Sequence, residues 1–390
     1  MIVTNSKEKV SQFCYWLGIY FLLLIVSGMG LGGMGSIIRL LAAVPVVIWL
    51  KGKHRIVLTA QVKATGLFIV ACFVTVYWSL SYSESVTRVV SHIMFLTLLI
   101  SASSYTYTKS EIAFLKRCLI NSSRLSAVVL LGTGSYAEGR LLLSGLIKED
   151  PNYLCAYFMF GIAACILRIL DKDVQRKGKF YAAAELIIYI YIIFSTGSRG
   201  GLFAIAVVVM TIILLDGGIS SNIERKLLIL ALMAVAIAFV TMLLPENVVN
   251  RFTREAIVES NGTGRYDLWE SAWGTFKKSG FFREMFGYGT AAARAIIRRF
   301  SSLPNSVYHN VFVDNLVEIG IVGLTCYLIH IGSFVVLAWK KKDIFSISII
   351  LGMIVLSFST SIYTFKPYWN IMLFIACCTD RGKNESSYCS

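Results

Sequence analysis

The sequence predicts an all-α integral membrane protein, a polytopic bundle of about twelve transmembrane helices with one larger helical loop on the outer side. Hydrophobic residues make up 56% of the 390 residues and charged residues only 15%, which is too little charge for a soluble surface of this size. Apolar runs that can cross about 30 Å of hydrocarbon recur along the whole length. Residues 1–390 are therefore predicted to form a single transmembrane domain.

The predicted spans follow these apolar runs in chain order. The first run comes after two lysines and has no convincing small-x-small cleavage site, so we interpret it as an uncleaved first span. The second, seventh and twelfth runs are short for a membrane crossing. The twelve spans are 12–33, 35–50, 64–80, 86–104, 115–134, 152–170, 181–195, 200–216, 227–244, 311–338, 344–361 and 367–379.

The loops between these spans differ in charge, and this difference predicts the orientation. Basic residues concentrate in alternate loops, so the positive-inside rule places both termini in the cytoplasm. The net charge of +15 would suggest a nucleic-acid partner for a soluble protein. Here the cytoplasmic loops account for it, and we expect no nucleic-acid partner. Examples are Lys51, Lys53, Arg55 and Lys63, and Lys340, Lys341 and Lys342.

Residues 245–310 form the long loop, and the predicted orientation places it outside. It contains nine lysines and arginines against six acidic residues. A basic surface at the level of the lipid headgroups suits an anionic substrate.

Arg199 lies in the segment STGSRGG between the seventh and eighth spans. Gly197, Gly200 and Gly201 allow a sharp turn and the close approach of a ligand. The next helix begins there, and a helix N-terminus beside an arginine favours an anion. A tight external turn whose arginine reaches the headgroups is the alternative.

Arg265 begins a stretch of the long loop that has helical aromatic spacing. Tyr266, Trp269, Trp273 and Phe276 fall on one face, which predicts an amphipathic helix on the membrane surface. Arg265 would then lie near the headgroups. The alternative is a helix that only anchors the loop.

His309 opens the tenth span, and of the four histidines it alone is predicted at the outer mouth of a span. A neutral imidazole there can accept a proton from a hydroxyl group. Asp314 and Glu318 follow one turn apart on one helix face. Asp314 would either orient His309 or close a salt bridge. A purely structural histidine is the alternative.

Further cations lie at predicted outer ends, whereas metal ligands are lacking. Arg140 belongs to the second-longest outer loop, which ends in a predicted turn at Pro151 and Asn152. Arg88 and Lys366 have weaker local context. The first outer loop has no acid and the nine cysteines are scattered, so no metal site and no cofactor are predicted.

Four segments together resemble the bacterial O-antigen polymerase and O-antigen ligase superfamily. They are GR…DPN, TGSRGG, GRYDLWESA and HNVFVDNLVEIGIVG, and they occur in the family's order within residues 139–324. Members are metal-independent, inverting glycosyltransferases of the GT-C type. They use a glycan on undecaprenyl diphosphate at the outer face of the bacterial plasma (inner) membrane.

The resemblance implies a role for each matching residue. Arg199 and Arg265 would hold the diphosphate and stabilise its charge as the sugar leaves, with Arg140 as a further cation. His309 would be the general base for the acceptor hydroxyl. Asp314, Gly200 and Gly201 are expected to be supporting residues of the site. The implied partners are the lipid bilayer, lipid-linked donor and acceptor glycans, and a chain-length regulator protein.

Three functions stay open at this point. A polymerase would transfer the growing glycan to a new lipid-linked repeat unit, and a ligase would transfer it to lipid A-core. We favour polymerase because polymerases are the more numerous members. A lipid-linked oligosaccharide transporter or flippase is the alternative of another class, but it would be expected to carry charges in the middle of its spans.

Overall fold

Helices dominate the chain because a backbone in lipid must satisfy its own hydrogen bonds within each segment. The computed structural model describes residues 10–23, 34–52, 54–137, 140–143, 151–217, 223–253, 264–301, 303 and 307–378. The helices are α1 Gln12–Leu22, α2 Met34–Lys51, α3 Ala60–Thr75, α4 Tyr82–Ser104, α5 Lys109–Thr133, α6 Pro151–Leu170, α7 Arg176–Ser195, α8 Arg199–Leu215, α9 Ile223–Leu243, α10 Glu246–Val249, α11 Arg265–Lys277, α12 Phe281–Phe286, α13 Ala293–Phe300, α14 Val311–Lys340, α15 Ile344–Leu356 and α16 Lys366–Cys377.

Six of these helical segments are long and apolar enough to cross a membrane, which supports the predicted all-α membrane class. Three shorter apolar helices cover 41–51, 199–215 and 344–356. Twelve spans stay a prediction, and part of the first, 24–33, lies outside the described residues. The six are Ala60–Trp78, Tyr82–Ser104, Pro151–Leu170, Arg176–Ser195, Ile223–Leu243 and Val311–Lys340.

The loop after α5 contains a short β-hairpin, which the sequence pattern does not predict. Strand β1, Gly134–Ala137, pairs antiparallel with β2, Arg140–Leu143. The two strands satisfy each other's main-chain groups, which an isolated extended loop would leave unpaired. Arg140 is thereby placed on a short ladder rather than on an irregular loop.

Helix α14 is bent where the sequence predicts one continuous span. Gly320 has a left-handed φ of 70°, which interrupts the helical hydrogen bonding. The carbonyl oxygens of Val317 and Glu318 instead accept hydrogen bonds from the main-chain N–H groups of Tyr288 and Gly289, at 3.1 and 2.7 Å. The bend therefore joins the long loop, residues 245–310, to the first half of α14.

The large loop has a small core of its own, and its helix α11 confirms the helix predicted from the aromatic spacing. Leu268 of α11 is buried against Ile296 of α13, Tyr308 and Val317. Tyr266 and Trp273 on α11 are half exposed. The main core lies among the long helices, where α6 packs against α5, α7, α8 and α15.

Candidate active site

The segment TGSRGG ends α7 and begins α8, and a buried hydrogen-bond chain ties it to α6. Ser198 caps α8, because its hydroxyl oxygen accepts a hydrogen bond of 2.9 Å from the N–H of Gly201. The same hydroxyl donates to the Oδ1 atom of Asn152, at 2.5 Å. Asn152 belongs to the segment DPN, so two of the four resembling segments are in direct contact.

The glycines after Arg199 permit close packing against other parts of the chain. A Cβ atom on Gly200 would collide with the side chain of Ser359, and one on Gly201 with the side chain of Cys155. In both cases the space next to the glycine is filled by another side chain of the protein. These two glycines therefore bring α8 close to α6 and to the turn after α15.

Three arginines gather at this turn. Gly197 has a left-handed φ of 60°, and a Cβ atom there would lie 3.0 Å from Cδ of Arg251 and 3.4 Å from Cγ of Arg140. Arg199 donates a hydrogen bond of 3.1 Å from Nε to the carbonyl oxygen of Arg251. Arg251 is one of the nine basic residues of the long loop, and its sequence context carries no motif that would mark it as a site residue. Three arginine side chains near one turn give it a positive charge that suits a multiply charged anion.

His309 lies two residues before the first residue of α14, in a left-handed backbone conformation with φ 53°. Such a conformation is uncommon for a non-glycine residue and commonly marks a functional turn. Two residues later, the N–H of Val311 donates to the carbonyl oxygen of Ser357, at 2.9 Å. Ser359, which faces Gly200, belongs to the same turn. The His309 segment and the Arg199 segment thus share one neighbour.

Arg265 is the first residue of α11 and is half-buried. One turn later, Nε1 of Trp269 donates a hydrogen bond of 3.0 Å to the carbonyl oxygen of Tyr308. This contact joins the helix of Arg265 to the residue directly before His309.

Asp314 is buried and supports the main chain next to His309. Its Oδ1 atom accepts a hydrogen bond of 3.4 Å from the N–H of Tyr308, and its Oδ2 atom accepts one from the hydroxyl of Ser361. Burial raises the pKa of the Tyr308 hydroxyl above its ordinary value. The Tyr308 hydroxyl therefore stays protonated near neutral pH, so it is not a candidate base, in contrast to an imidazole.

Arg88 and Lys366 are not among the residues at the Gly197 turn. They line a cavity of about 620 Å³ whose wall also includes Asp314 and Glu318. Among the described residues, no group of three or more His, Cys, Asp or Glu side chains is arranged to hold a metal ion. Metal independence stays a prediction.

Comparison with known families agrees with the sequence resemblance. No curated protein matches the chain. Residues 184–328 match the family model described as O-antigen ligase, a range that includes Arg199, Arg265 and His309 but not Arg140. The match confirms the resemblance of this chain to the O-antigen polymerase and ligase superfamily.

Proposed function

We propose that the protein is a polysaccharide (O-antigen) polymerase. It would transfer a growing glycan from undecaprenyl diphosphate to a lipid-linked repeat unit on the outer side of the bacterial plasma membrane, with both termini in the cytoplasm. A chain-length regulator protein is its proposed further partner. The observation that carries the proposal concerns the four segments that resemble the superfamily. They are separate in the sequence, but around Arg199 and His309 they are linked by direct contacts or by a common neighbouring turn.

The arginines supply the binding chemistry in this proposal. Arg199 and Arg265, with Arg140 and Arg251, hold the donor diphosphate and stabilise the charge that it gains as the sugar leaves. The contact of Arg140 and Arg251 with Gly197, and the bond from Arg199 to Arg251, support the grouping of these three arginines. For Arg265 the support is the bond from Trp269 of its helix to Tyr308, beside His309. Fixed donors of this kind are effective because they need no reorganisation during the reaction.

His309 supplies the base. The acceptor hydroxyl oxygen attacks the anomeric carbon from the face opposite the diphosphate, and His309 takes the hydroxyl proton. The bond from the anomeric carbon to the acceptor oxygen forms while the bond to the diphosphate oxygen breaks. The leaving group departs as lipid diphosphate, and the anomeric configuration is inverted. The turn held by Asp314 and Ser357 supports a fixed position for the imidazole.

A ligase is the second candidate function. The family model that matches residues 184–328 carries the description O-antigen ligase, which favours this alternative. A ligase would use the same donor site and transfer the glycan to lipid A-core. The donor residues therefore do not separate the two functions.

Deletion followed by electrophoresis of the surface glycan separates them. We expect a deletion strain to carry a single repeat unit on its usual carrier, and a plasmid copy to restore long chains. Long glycan stranded on the lipid carrier would identify a ligase instead. Unchanged long glycan would overturn both functions.

A further inference from the structure

The cavity of about 620 Å³ is charged at one end and apolar at the other. Along α4 its lining changes from Glu84 and Arg88 through His92 to Phe95 and Leu98. At 1.5 Å per residue, the distance from Glu84 to Leu98 along the helix is roughly 21 Å. The charged end is the predicted outer end of α4. A cavity with this gradient fits an amphipathic ligand whose polar head lies outermost.

Three cations mark the charged end of the cavity: Arg88, Arg294 and Lys366. The guanidinium of Arg88 is half-buried and lies over the ring of Tyr363, 5.5 Å from the ring centre. Stacking on a ring fixes the plane of a guanidinium and leaves its N–H edge available to an anion. An arginine held in this way favours a phosphate group, and Arg294 and Lys366 add positive charge at the same end of the cavity.

Three acids line the cavity. Glu84 is exposed at the charged end, whereas Glu318 and Asp314 are buried and engaged by neutral donors. Glu318 accepts hydrogen bonds of 2.9 Å from the N–H groups of Ala291 and Ala293, and one of 3.0 Å from the hydroxyl of Tyr363. Asp314 accepts from Tyr308 and Ser361, as described above. Within the described residues, no ion pair joins either carboxylate to Arg88. Asp314 and Glu318 therefore stabilise the cavity wall through their neutral donors, and neither neutralises Arg88 by direct contact.

His92 gives independent evidence for a ligand. It lines the cavity and is 98% buried (2% exposed), yet neither ring nitrogen has a hydrogen-bond partner among the described residues. A buried polar group without a partner is costly and uncommon. Phe68 and Trp369 pack beside its ring. A polar ligand group in the cavity would satisfy the imidazole.

The cavity adjoins the proposed active site. Asp314 lines the cavity and also holds the main chain of Tyr308, directly before His309. Ser361 lines it as well and follows Ser359, which faces Gly200, by two residues. A lipid in the cavity would therefore present its glycan towards the base.

We propose that this cavity binds the acceptor through a lipid phosphate. Arg88, Arg294 and Lys366 hold the phosphate, His92 donates or accepts one hydrogen bond, and the lining around Phe95 and Leu98 takes the beginning of the hydrocarbon chain. The inference rests on the proposed function, because that function requires a second lipid-linked substrate beside the donor. A lipid-linked repeat unit and lipid A-core both carry phosphate, so the assignment holds for either acceptor.

Counting bound lipids tests the site. The purified full chain in detergent micelles is titrated with a polyprenyl phosphate, and bound lipids are counted by native mass spectrometry. We expect two bound lipids on the wild type and one on Arg88→Gln. The affinity for the second lipid should fall by about 10–100-fold, because the variant loses one charge-assisted contact. Lys278→Gln removes a charge from an exposed residue outside the cavity and should keep two lipids.

Competition identifies the source of the phosphate. We expect neither inorganic phosphate nor phosphatidylglycerol to displace the second polyprenyl phosphate at equal concentration. Displacement by inorganic phosphate would make the cavity a free-anion site and overturn the proposal. Equal displacement by phosphatidylglycerol would make it an ordinary headgroup site and overturn it too.

A filling variant separates binding from folding. Ser91→Trp places a large ring in the cavity without removing a charge, and Val90→Trp adds the same ring at an exposed neighbour outside the cavity. In a transfer assay Ser91→Trp should raise the acceptor KM by about tenfold or more, with the donor KM unchanged, while Val90→Trp should match the wild type. An unchanged acceptor KM in Ser91→Trp and Arg88→Gln would overturn this inference but not the proposed function. A wild type that transfers no glycan to either acceptor would overturn the proposed function, while the lipid count would still decide whether the cavity binds lipid phosphate.

Discussion

The indole N–H of Trp269 donates a hydrogen bond of 3.0 Å to the main-chain carbonyl oxygen of Tyr308. Trp269 is on α11, which begins with Arg265, and Tyr308 directly precedes His309. One contact therefore couples the proposed diphosphate-binding helix to the turn that carries the proposed base. It also links two segments that are about forty residues apart in the chain.

Trp269→Phe should reduce the rate of chain growth without preventing insertion into the membrane. Phenylalanine keeps most of the ring packing against Tyr266 but lacks the indole donor. A lost hydrogen bond of about 1 kcal/mol that acts on the geometry of the site corresponds to roughly a fivefold lower kcat. Trp273→Phe on the exposed side of α11 is the matched control and should retain the wild-type rate. Equal rates in the two variants would show that the Trp269 contact does not position the site.

Arg199→Ala, Arg265→Ala and His309→Ala should each leave the protein in the membrane and abolish chain growth. The arginine variants lose stabilisation of the leaving diphosphate, for which losses of about 100-fold or more per donor are typical. The His309 variant loses the proton acceptor. The measurement is the ladder of surface glycan in a complemented deletion strain, together with the amount of membrane-inserted protein.

Conservative variants distinguish chemistry from structure at these positions. Arg199→Lys keeps the charge but not the planar guanidinium, so we expect weak residual activity. His309→Gln keeps a hydrogen-bonding side chain but cannot take a proton, so we expect none. Normal laddering in Arg199→Ala, Arg265→Ala and His309→Ala would show that the site has been assigned to the wrong residues.

Glycan transfer should continue in excess EDTA. In the proposed mechanism the arginines at Gly197 neutralise the diphosphate, and this removes the need for a divalent cation there. The measurement is transfer by the purified protein before and after chelation, with a divalent-metal glycosyltransferase as the control for complete chelation. Loss of activity that Mg²⁺ or Mn²⁺ restores would contradict the arginine mechanism.

The sequence predicts the membrane class and the helix at Arg265 because these depend on local patterns. Apolar runs and helical aromatic spacing are visible within a short window of residues. The beginning of α5 at Lys109 is also local, since Thr108 and Glu111 form a capping box, yet the apolar pattern begins later and predicts a shorter span.

The features of the fold and the site that could not be predicted depend on contacts between segments that are distant in the sequence. Arg251 carries no motif, and only the fold brings it to Gly197. The bend at Gly320 requires the Tyr288 and Gly289 main chain to replace its lost hydrogen bonds. Arg88 and Lys366 are weak candidates in the sequence because their common cavity is built from several helices.

Gly200→Ala should destabilise the protein, and Ser359→Gly should restore it. The new methyl group would collide with the Ser359 side chain, and overpacking of this kind costs about 1–3 kcal/mol. We expect a lower Tm for Gly200→Ala in detergent and a near wild-type Tm for the double variant, whose site regains space. Gly332→Ala on α14 is the control, because a Cβ atom there meets nothing within 4 Å and alanine favours the helix. If the double variant melts as low as Gly200→Ala, the contact between α8 and the turn after α15 does not limit stability. Recovery would instead establish that Gly200 serves the packing that holds Arg199 beside the His309 turn.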